Sequence, residues 1–311
     1  MLCKFTRNCL RLARRLDCKS KEPKVNKRAH MQAWSEIRQK SDKTRDHLTR
    51  TKHSFRQEQI MNATVVDIEK LSPTVRGIKM SVSTGYQNGN FKAGQWVDMT
   101  IPGISTVGGF SICSCPNDLE QHGILEFAVK YSDHPPAKWI HEQCHVGSTV
   151  SLCFGGDFYH DPVAERDENL LLISGGVGIN PIYSILRERS AFLRQDPQRY
   201  SGNKISTMLL YCARTAEELL FKDEIQHICR ITPNTEYELF VTQENKLQQI
   251  EDEIPIHYGR ISQDHLQRTV NSFQKSPLCY ICGPPGFIDA TVVKLENLGL
   301  HSDNVKYEKW W

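Results

Sequence analysis

A run of five residues, Leu-Leu-Leu-Ile-Ser at 170–174, leads directly into the glycine-rich segment Gly-Gly-Val-Gly-Ile-Asn-Pro at 175–181. Continuous apolar runs of this length are typical of strands that are covered on both faces, as in parallel sheets. The three glycines allow a sharp turn. The proline suits the first turn of a helix, because N–H groups there have no partner within the helix and the lack of one costs nothing. The segment therefore predicts a strand, a tight turn and a helix of an α/β sheet.

The chain beyond residue 166 continues this alternation of strands and helices. Further strands are predicted at 205–211, 238–242 and 277–282, and helices at 180–189, 216–230 and 287–298. Before residue 161, short β-branched runs between turn residues predict strands at 62–68, 75–83, 95–101, 110–115, 125–131 and 149–154. We therefore expect an antiparallel six-stranded β-barrel over 57–165, followed by a doubly wound parallel-sheet α/β domain over 166–311.

The first 56 residues differ in composition from the rest of the chain. They contain 17 Lys and Arg against 5 Asp and Glu, and no acid precedes Asp17. At about 100° per residue, apolar and basic side chains before Asp17 fall on opposite helix faces. This pattern is typical of a mitochondrial transit peptide, so we expect a transit peptide and linker over 1–56 and a location in the mitochondrial matrix. The alternatives are a disordered basic tail and a membrane-surface helix.

Composition also argues against several classes of site and partner. No run of 18 apolar residues exists, so no transmembrane segment is expected. From residue 57 onward acids outnumber bases, which offers no electrostatic footprint for nucleic acid. The chain has 11 cysteines, and the CxxC pair of Cys279 and Cys282 has no second pair that would complete a zinc or iron–sulfur site. We therefore predict no metal site.

The glycine-rich turn is a candidate phosphate-binding site. Glycines let a ligand approach the backbone closely, and the following helix presents unpaired N–H groups and the positive end of its dipole to an anion. The alternative is a tight strand-to-helix turn without a ligand. The residues predicted to bind a nucleotide pyrophosphate are Gly175, Gly176, Val177, Gly178, Ile179 and Asn180.

Several motifs in a fixed order resemble the ferredoxin-NADP reductase superfamily of flavin- and nicotinamide-dependent oxidoreductases, over about residues 60–311. Besides the glycine-rich segment they are Phe-Lys-Ala-Gly-Gln-Trp-Val at 91–97, Phe-Gly-Gly-Asp-Phe at 154–158, Leu-Tyr-Cys-Ala-Arg-Thr at 210–215, Gly-Arg-Ile at 259–261 and Cys-Gly-Pro-Pro at 282–285. The resemblance implies an FAD-binding barrel and an NAD-binding α/β domain.

The resemblance also implies roles for individual residues. In the barrel, Phe110 would stack on the flavin ring and Ser111 would hydrogen-bond its N5. Cys282 would lie beside the nicotinamide and orient hydride transfer. The terminal Trp310-Trp311 would either stack on the flavin or simply end an edge strand. The implied catalytic residues are Ser111 and Cys282, and the implied cofactor-binding residues beyond the glycine-rich segment are Phe110, Arg214, Gly283 and Pro284.

Two positions depart from the flavin motifs of the superfamily. Its Arg-x-Tyr-Ser reads Gly-Gly-Phe-Ser at 108–111, so the arginine that contacts the FAD diphosphate is replaced by Gly108. Its Gly-x-x-Ser at a helix start aligns with His-Pro-Pro-Ala at 134–137, where Ala137 lacks the hydroxyl. A lost charge-assisted phosphate contact costs about 1.5–3 kcal/mol, or roughly 10- to 150-fold in affinity. FAD is therefore expected as a cofactor with weakened binding.

The main functional expectation is a flavin oxidoreductase that passes hydride from NADH to bound FAD. The FAD would pass electrons on to an unidentified acceptor, which could be a protein. NADH is favoured over NADPH because Glu217, Glu218 and Glu244 place negative charge near the expected ribose pocket. One alternative is a flavin-poor NAD-binding or assembly factor, suggested by Gly108 and Ala137. The other is an NADPH-specific reductase, suggested by Arg214.

Overall fold

The fold is described from a computed structural model of the 311-residue chain. The structure describes residues 46–82, 91–165, 167–196, 200, 205–244 and 255–309. Residues 1–45 of the predicted transit peptide and linker, and the Trp310-Trp311 pair, lie outside these residues. Among the described helices, none is long and apolar enough to cross a membrane.

The first part of the chain forms an antiparallel sheet of six strands. They are β1 (Met61–Ser72), β2 (Val75–Val82), β3 (Trp96–Thr100), β4 (Gly108–Ser111), β5 (Ile124–Lys130) and β6 (Thr149–Gly155), in the order β4-β3-β6-β1-β2-β5. Each strand overlaps its predicted range. Just beyond β4, the Cys113 N–H donates to the Glu126 carbonyl of β5 at 2.9 Å, which joins the two edges of the sheet into the predicted barrel.

Residues 46–56, which the sequence assigns to the linker, pack on this barrel. The short helix α1 (His47–Arg50) places His47 Nε2 2.7 Å from Asp98 Oδ1, and Arg56 Nε donates to Asp98 Oδ2 at 2.6 Å. The His47 ring covers Gly109, where any side chain would collide with it. The barrel domain therefore begins before the predicted boundary at 57, because β3 offers the segment a charge partner and β4 offers it an unobstructed surface.

Two further short helices belong to the barrel domain, and only the second was expected, from the helix start that the resemblance places at 134–137. They are α2 (Pro116–His122) and α3 (Pro135–Glu142), and each begins at a proline. Helix α3 buries Ala137 and Ile140 in the barrel core. With fewer than three turns, neither helix carries a hydrophobic repeat long enough to stand out from the surrounding loops.

The second part of the chain forms a parallel sheet covered by helices. Its strands are β7 (Leu170–Gly175), β8 (Thr207–Ala213), β9 (Thr235–Val241), β10 (Ile256–Tyr258), β11 (Leu278–Gly283) and β12 (Val305–Lys309), in the order β10-β9-β8-β7-β11-β12. Its helices are α4 (Ile179–Gln195), α5 (Lys222–Ile231), α6 (Gln263–Ser272) and α7 (Pro285–Asn297). The chain proceeds from β7 to one side of the sheet and returns to the other at β11. Ligands of such sheets bind at the carboxyl ends of the strands at this switch point.

The structure differs from the predicted helix at 216–230. A 3-10 turn at Ala216–Glu218 is followed by a break, and α5 begins at Lys222. The break occurs at Phe221, which adopts the left-handed conformation with φ 59° and stacks its ring on Tyr183 at 4.5 Å. The short strand β10 was not predicted. Helix α6 follows the Gly-Arg-Ile motif at 259–261, after which the resemblance implies a helix, and β12 lies at an edge of the sheet.

Helix α4 joins the parallel sheet to the barrel through polar contacts. The Asn180 side-chain amide donates to the Ala128 carbonyl of β5 at 2.7 Å, and the Ser184 hydroxyl donates to the Ser114 carbonyl at 2.7 Å. Both contacts are buried. The start of α4, and the glycine-rich turn before it, are thereby held at the barrel surface.

A second polar link between the two parts centres on Glu165. Its carboxylate lies 2.6 Å from His160 Nδ1 and accepts hydrogen bonds from the Tyr280 hydroxyl and the Lys306 ammonium at 2.7 Å each. Burial alone would raise the pKa of Glu165, but the contacts with His160, Lys306 and Tyr280 lower it to about 2. Burial also lowers the pKa of His160, in spite of its contact with Glu165. Near neutral pH the network therefore holds an ionised carboxylate and a neutral imidazole.

This network predicts how stability depends on pH. The depressed pKa of His160 means that the unfolded chain takes up a proton first, so stability falls as the pH drops through about 6.5. The stabilisation from Glu165 is present above its unfolded pKa and is lost as the pH falls towards about 2. We expect Glu165→Gln to cost about 2–3 kcal/mol at pH 7 and to reduce the loss of stability below pH ~4.5. Urea unfolding at pH 7, 4 and 3 measures this, and equal acid sensitivity in both proteins would contradict it.

Candidate functional site

The glycine-rich turn lies at the carboxyl end of β7, beside the switch point of the sheet. A 3-10 turn over Gly176–Gly178 connects β7 to α4. Gly176 has φ +56°, and no atom lies within 4 Å of the position that a Cβ would take there. Ile179 is fully buried, whereas Val177 is partly exposed. The turn therefore presents open backbone at Gly176 while the first residue of α4 anchors it.

The second predicted loop meets the first one directly. At Gly178 a Cβ would lie 2.5 Å from the carbonyl group of Cys282, so only glycine permits this approach of the two backbones. Strand β11 ends at Gly283, Pro284 precedes helix α7, and Phe287 packs against both Gly283 and Gly175. The structure thus brings the 175–180 turn together with Cys282, Gly283 and Pro284 at the carboxyl ends of β7 and β11.

Two polar atoms beside this junction have no partner among the residues that the structure describes. Ser174 is paired with Cys282 across β7 and β11 and is fully buried, and its hydroxyl makes no hydrogen bond to the described residues. The side-chain oxygen of Asn180 is also buried and unpartnered there, although its amide nitrogen is bonded to Ala128. Buried polar groups are normally paired, so these two are candidates for hydrogen bonds that a bound ligand would complete.

The Cys282 thiol is neutral in this setting. Its side chain is completely buried, and burial, together with the charge of Glu308, raises its pKa well above the ordinary value. A thiol that stays protonated is a poor nucleophile. The geometry therefore fits a positioning role for Cys282 and does not fit covalent catalysis.

Arg214 lies at the end of β8, one strand away from the glycine-rich turn. Its side chain is exposed, and its carbonyl accepts hydrogen bonds from the N–H groups of Thr242 and Gln243. The Glu244 carboxylate accepts a hydrogen bond from the Ala216 N–H at 2.9 Å. An acidic side chain therefore lies within two residues of Arg214, where the resemblance places the adenosine ribose.

The predicted flavin residues lie on β4 of the barrel. Ser111 is buried, and its backbone pairs with Trp96 of β3. The Phe110 ring folds back over Gly108, so that a Cβ at Gly108 would collide with the ring and would lie 2.8 Å from Pro136. Protein atoms therefore fill the space that the side chain of the superfamily's arginine would enter.

The start of helix α3 is a poor anion site. Pro135 and Pro136 occupy the first helical positions and carry no N–H, and the Lys138 N–H donates to the His134 carbonyl. The Lys138 ammonium lies 4.0 Å from Glu142 in the next turn. The buried Ala137 supplies no hydroxyl. Together with Gly108, these residues do not fit a tightly held FAD diphosphate, whereas the residues at the switch point fit a nicotinamide dinucleotide.

Comparisons with known proteins agree with this geometry. Residues 172–292 match the family described as Oxidoreductase NAD-binding domain. The chain is 44% identical over 270 residues to Oxidoreductase NAD-binding domain-containing protein 1 of Danio rerio, covering 86% of this chain and 97% of that protein. It belongs to that family. The chain is therefore an NAD-binding, oxidoreductase-like protein.

Solved structures share the two-domain fold. The Amycolatopsis cytochrome P450 reductase has a TM-score of 0.65 at 20% identity, covering 81% of this chain and 69% of that one. The FAD/NAD-binding domain of nitric oxide dioxygenase from Vibrio cholerae has a TM-score of 0.63 at 22% identity, covering 80% of this chain and 98% of that one. At these identities the likeness concerns the fold.

Some site features of this member of the Oxidoreductase NAD-binding domain-containing family were not singled out from the sequence. The unpaired Ser174 hydroxyl is one, and its signal was a polar residue ending an otherwise apolar buried strand. The Pro135-Pro136 pair is another, and its signal was the loss of two N–H donors at a helix start. The covering of Gly109 by His47 had no sequence signal, because 62 residues separate the two.

Proposed function

We propose that this chain is an NADH-dependent oxidoreductase of the flavin reductase type that binds FAD weakly and passes electrons to an acceptor still to be identified. The observation that carries the proposal is the junction of the 175–180 turn with the 282–284 loop at the switch point of the sheet. There, Gly176 presents open backbone, and the Ser174 hydroxyl and the Asn180 side-chain oxygen have no partner among the described residues.

The residues of this chain would bind and orient the dinucleotide in a simple way. The turn at 176–178 and the start of the 17-residue helix α4 offer N–H groups and a positive dipole end to the diphosphate. The nicotinamide would lie towards Cys282, whose neutral thiol adds bulk without charge, and Ser174 offers a hydroxyl to a carboxamide. NADH supplies the hydride, and the buried surroundings exclude water from the reacting end.

The proposed preference for NADH rests on Glu244. A 2′-phosphate beside Arg214 would also lie near the Glu244 carboxylate, which repels it. We expect Glu244→Gln, which keeps an acceptor for the Ala216 N–H, to raise the affinity for NADPH relative to NADH about fivefold. Calorimetric titration with both nucleotides measures the ratio. Glu296→Gln, on the exposed far end of α7, removes the same charge and should leave the ratio of NADPH to NADH affinity unchanged. Tighter binding of NADPH than of NADH by the unmodified protein would contradict the preference.

A second candidate function is an NAD-binding or assembly factor with little redox activity. The packing of Phe110 and Pro136 against Gly108 favours it, because it closes the diphosphate end of the flavin site. An absorbance scan of the purified full chain from about 350 to 550 nm, with and without added FAD, separates the two functions. Flavin that bleaches on anaerobic addition of NADH supports the reductase. NADH binding without any bleaching at saturating FAD supports the second function.

We also propose that the chain is imported into the mitochondrial matrix. The support is the excess of basic residues and the absence of acids before Asp17. A fluorescent protein fused after residue 56 should enter mitochondria, and reversal of the charges of Arg11, Arg14 and Arg15 should prevent its entry. Uptake that persists after the reversal would contradict the proposal.

A further inference from the structure

Three side chains that the nucleotide site does not use meet at the edge of the parallel sheet. Glu238 lies on β9, His257 on the edge strand β10, and His265 on helix α6. One nitrogen or oxygen atom from each lies within 4.8 Å of those of the other two. Two imidazoles and a carboxylate from three separate elements form a common ligand set for zinc.

The contact between Glu238 and His257 has the spacing of two metal ligands. Glu238 Oε2 lies 3.3 Å from His257 Nε2. The same oxygen is buried, yet within the described part of the chain it has no partner with hydrogen-bond geometry. Two ligands at about 2.1 Å from a tetrahedral zinc ion are roughly 3.4 Å apart. The distance between these two atoms is therefore compatible with both of them binding one cation.

The two imidazole rings are held by their neighbours. Phe240 stacks on His257 at 4.8 Å and meets His265 edge to face at 5.2 Å. The Ser262 hydroxyl lies 2.6 Å from His265 Nδ1, which leaves Nε2 of that ring to bind a ligand. A hydrogen bond to the second ring nitrogen is the usual way in which metal-binding histidines are oriented.

We propose that Glu238, His257 and His265 bind one divalent transition-metal ion of the zinc class. The three residues supply two nitrogens and one oxygen, and solvent completes the coordination at the exposed side of His257. The ion would tie the three-residue strand β10 to β9 and α6, and it would stabilise the folded state in proportion to its binding. The proposal is independent of the nucleotide site and replaces the expectation that the chain has no metal site.

The test is a titration of chelator-treated full-length protein with Co²⁺ and then with Zn²⁺. We expect one equivalent of Co²⁺ to give visible bands of a tetrahedral site without the charge-transfer absorption of thiolate ligands, and Zn²⁺ to displace it. Glu238→Gln, His257→Ala and His265→Ala should each weaken binding by about 10-fold or more. Unchanged NADH binding and circular dichroism show that these variants remain folded.

The chain offers a matched control for a histidine and carboxylate pair. His301 Nδ1 lies 3.3 Å from Asp303 Oδ2, the same spacing as the proposed site, but on an exposed turn and without a third ligand among the described residues. His301→Ala should leave metal binding unchanged. Thiolate absorption in the Co²⁺ complex, or equal affinity in His257→Ala and the unmodified protein, would overturn the proposal.

Discussion

Gly176→Val is expected to weaken NADH binding by about 100-fold or more while leaving the protein folded. Gly176 has φ +56°, so a branched residue there costs roughly 1–2 kcal/mol in backbone strain. Its side chain would point into open space, where no protein atom lies within 4 Å, and would obstruct the approach of a diphosphate to the turn. Loss of two charge-assisted hydrogen bonds, at about 1.5 kcal/mol each, accounts for the expected change in affinity. Fluorescence titration with NADH measures it.

Gly299→Val is the matched control for backbone strain. Gly299 also has a positive φ, +86°, and an open Cβ position, but it lies after α7, at the end of that helix remote from the 282–284 loop. The two variants should lose similar stability in urea unfolding, and only Gly176→Val should lose NADH binding. Equal NADH affinity in both variants would show that the turn does not contact the diphosphate.

Gly108→Arg is expected to tighten FAD binding about 10-fold. The charge-assisted contact that the superfamily makes with the diphosphate is worth about 1.5–3 kcal/mol. Part of this gain is offset, because the Phe110 ring must rotate away from Gly108 and Pro136 must shift away from the new Cβ. Equilibrium dialysis with FAD measures the change. In a separate gel-filtration run, the unmodified chain should lose its flavin.

Gln121→Arg controls for the added positive charge. Gln121 is exposed on α2, where it contacts Asn117, so the substitution changes the net charge equally without touching β4. FAD affinity should be unaffected. Stoichiometric FAD retained by the unmodified protein would contradict the interpretation that Gly108, Phe110 and Pro136 close the diphosphate end of the site.

The barrel strands and the nucleotide turn could be predicted because their signals are local. The apolar run at 170–174 and the glycines after it specify a buried strand and a tight turn within about ten neighbouring positions. The contact between Gly178 and Cys282 could not be predicted from local sequence. It depends on β7 and β11 being neighbours in the sheet, which the order of the chain does not reveal.

Other features depend on long-range packing and had no readable pattern. Residues 46–56 look like a polar linker, and only the placement of Asp98 and Gly109 on adjacent strands shows why they pack. The stacking of Phe110 on a flavin stays a prediction, and the position of its ring over Gly108 had no sequence signal, because a motif fixes residue identity and leaves the side-chain rotamer open. The Glu238, His257 and His265 cluster draws on three elements, of which β10 was not predicted and α6 was implied only by the motif at 259–261 that precedes it. Local periodicity cannot report which elements become neighbours.

The most direct test of the proposed function is anaerobic mixing of the full chain with NADH at increasing concentrations of FAD, followed by absorbance near 340 and 450 nm. We expect flavin bleaching to match NADH oxidation and its rate to rise with FAD concentration, with no bleaching on this time scale when protein is omitted. Gly176→Val should slow the reaction, and Gly299→Val should not. Bleaching no faster than without protein, at saturating FAD and NADH, would contradict an NADH-dependent reductase.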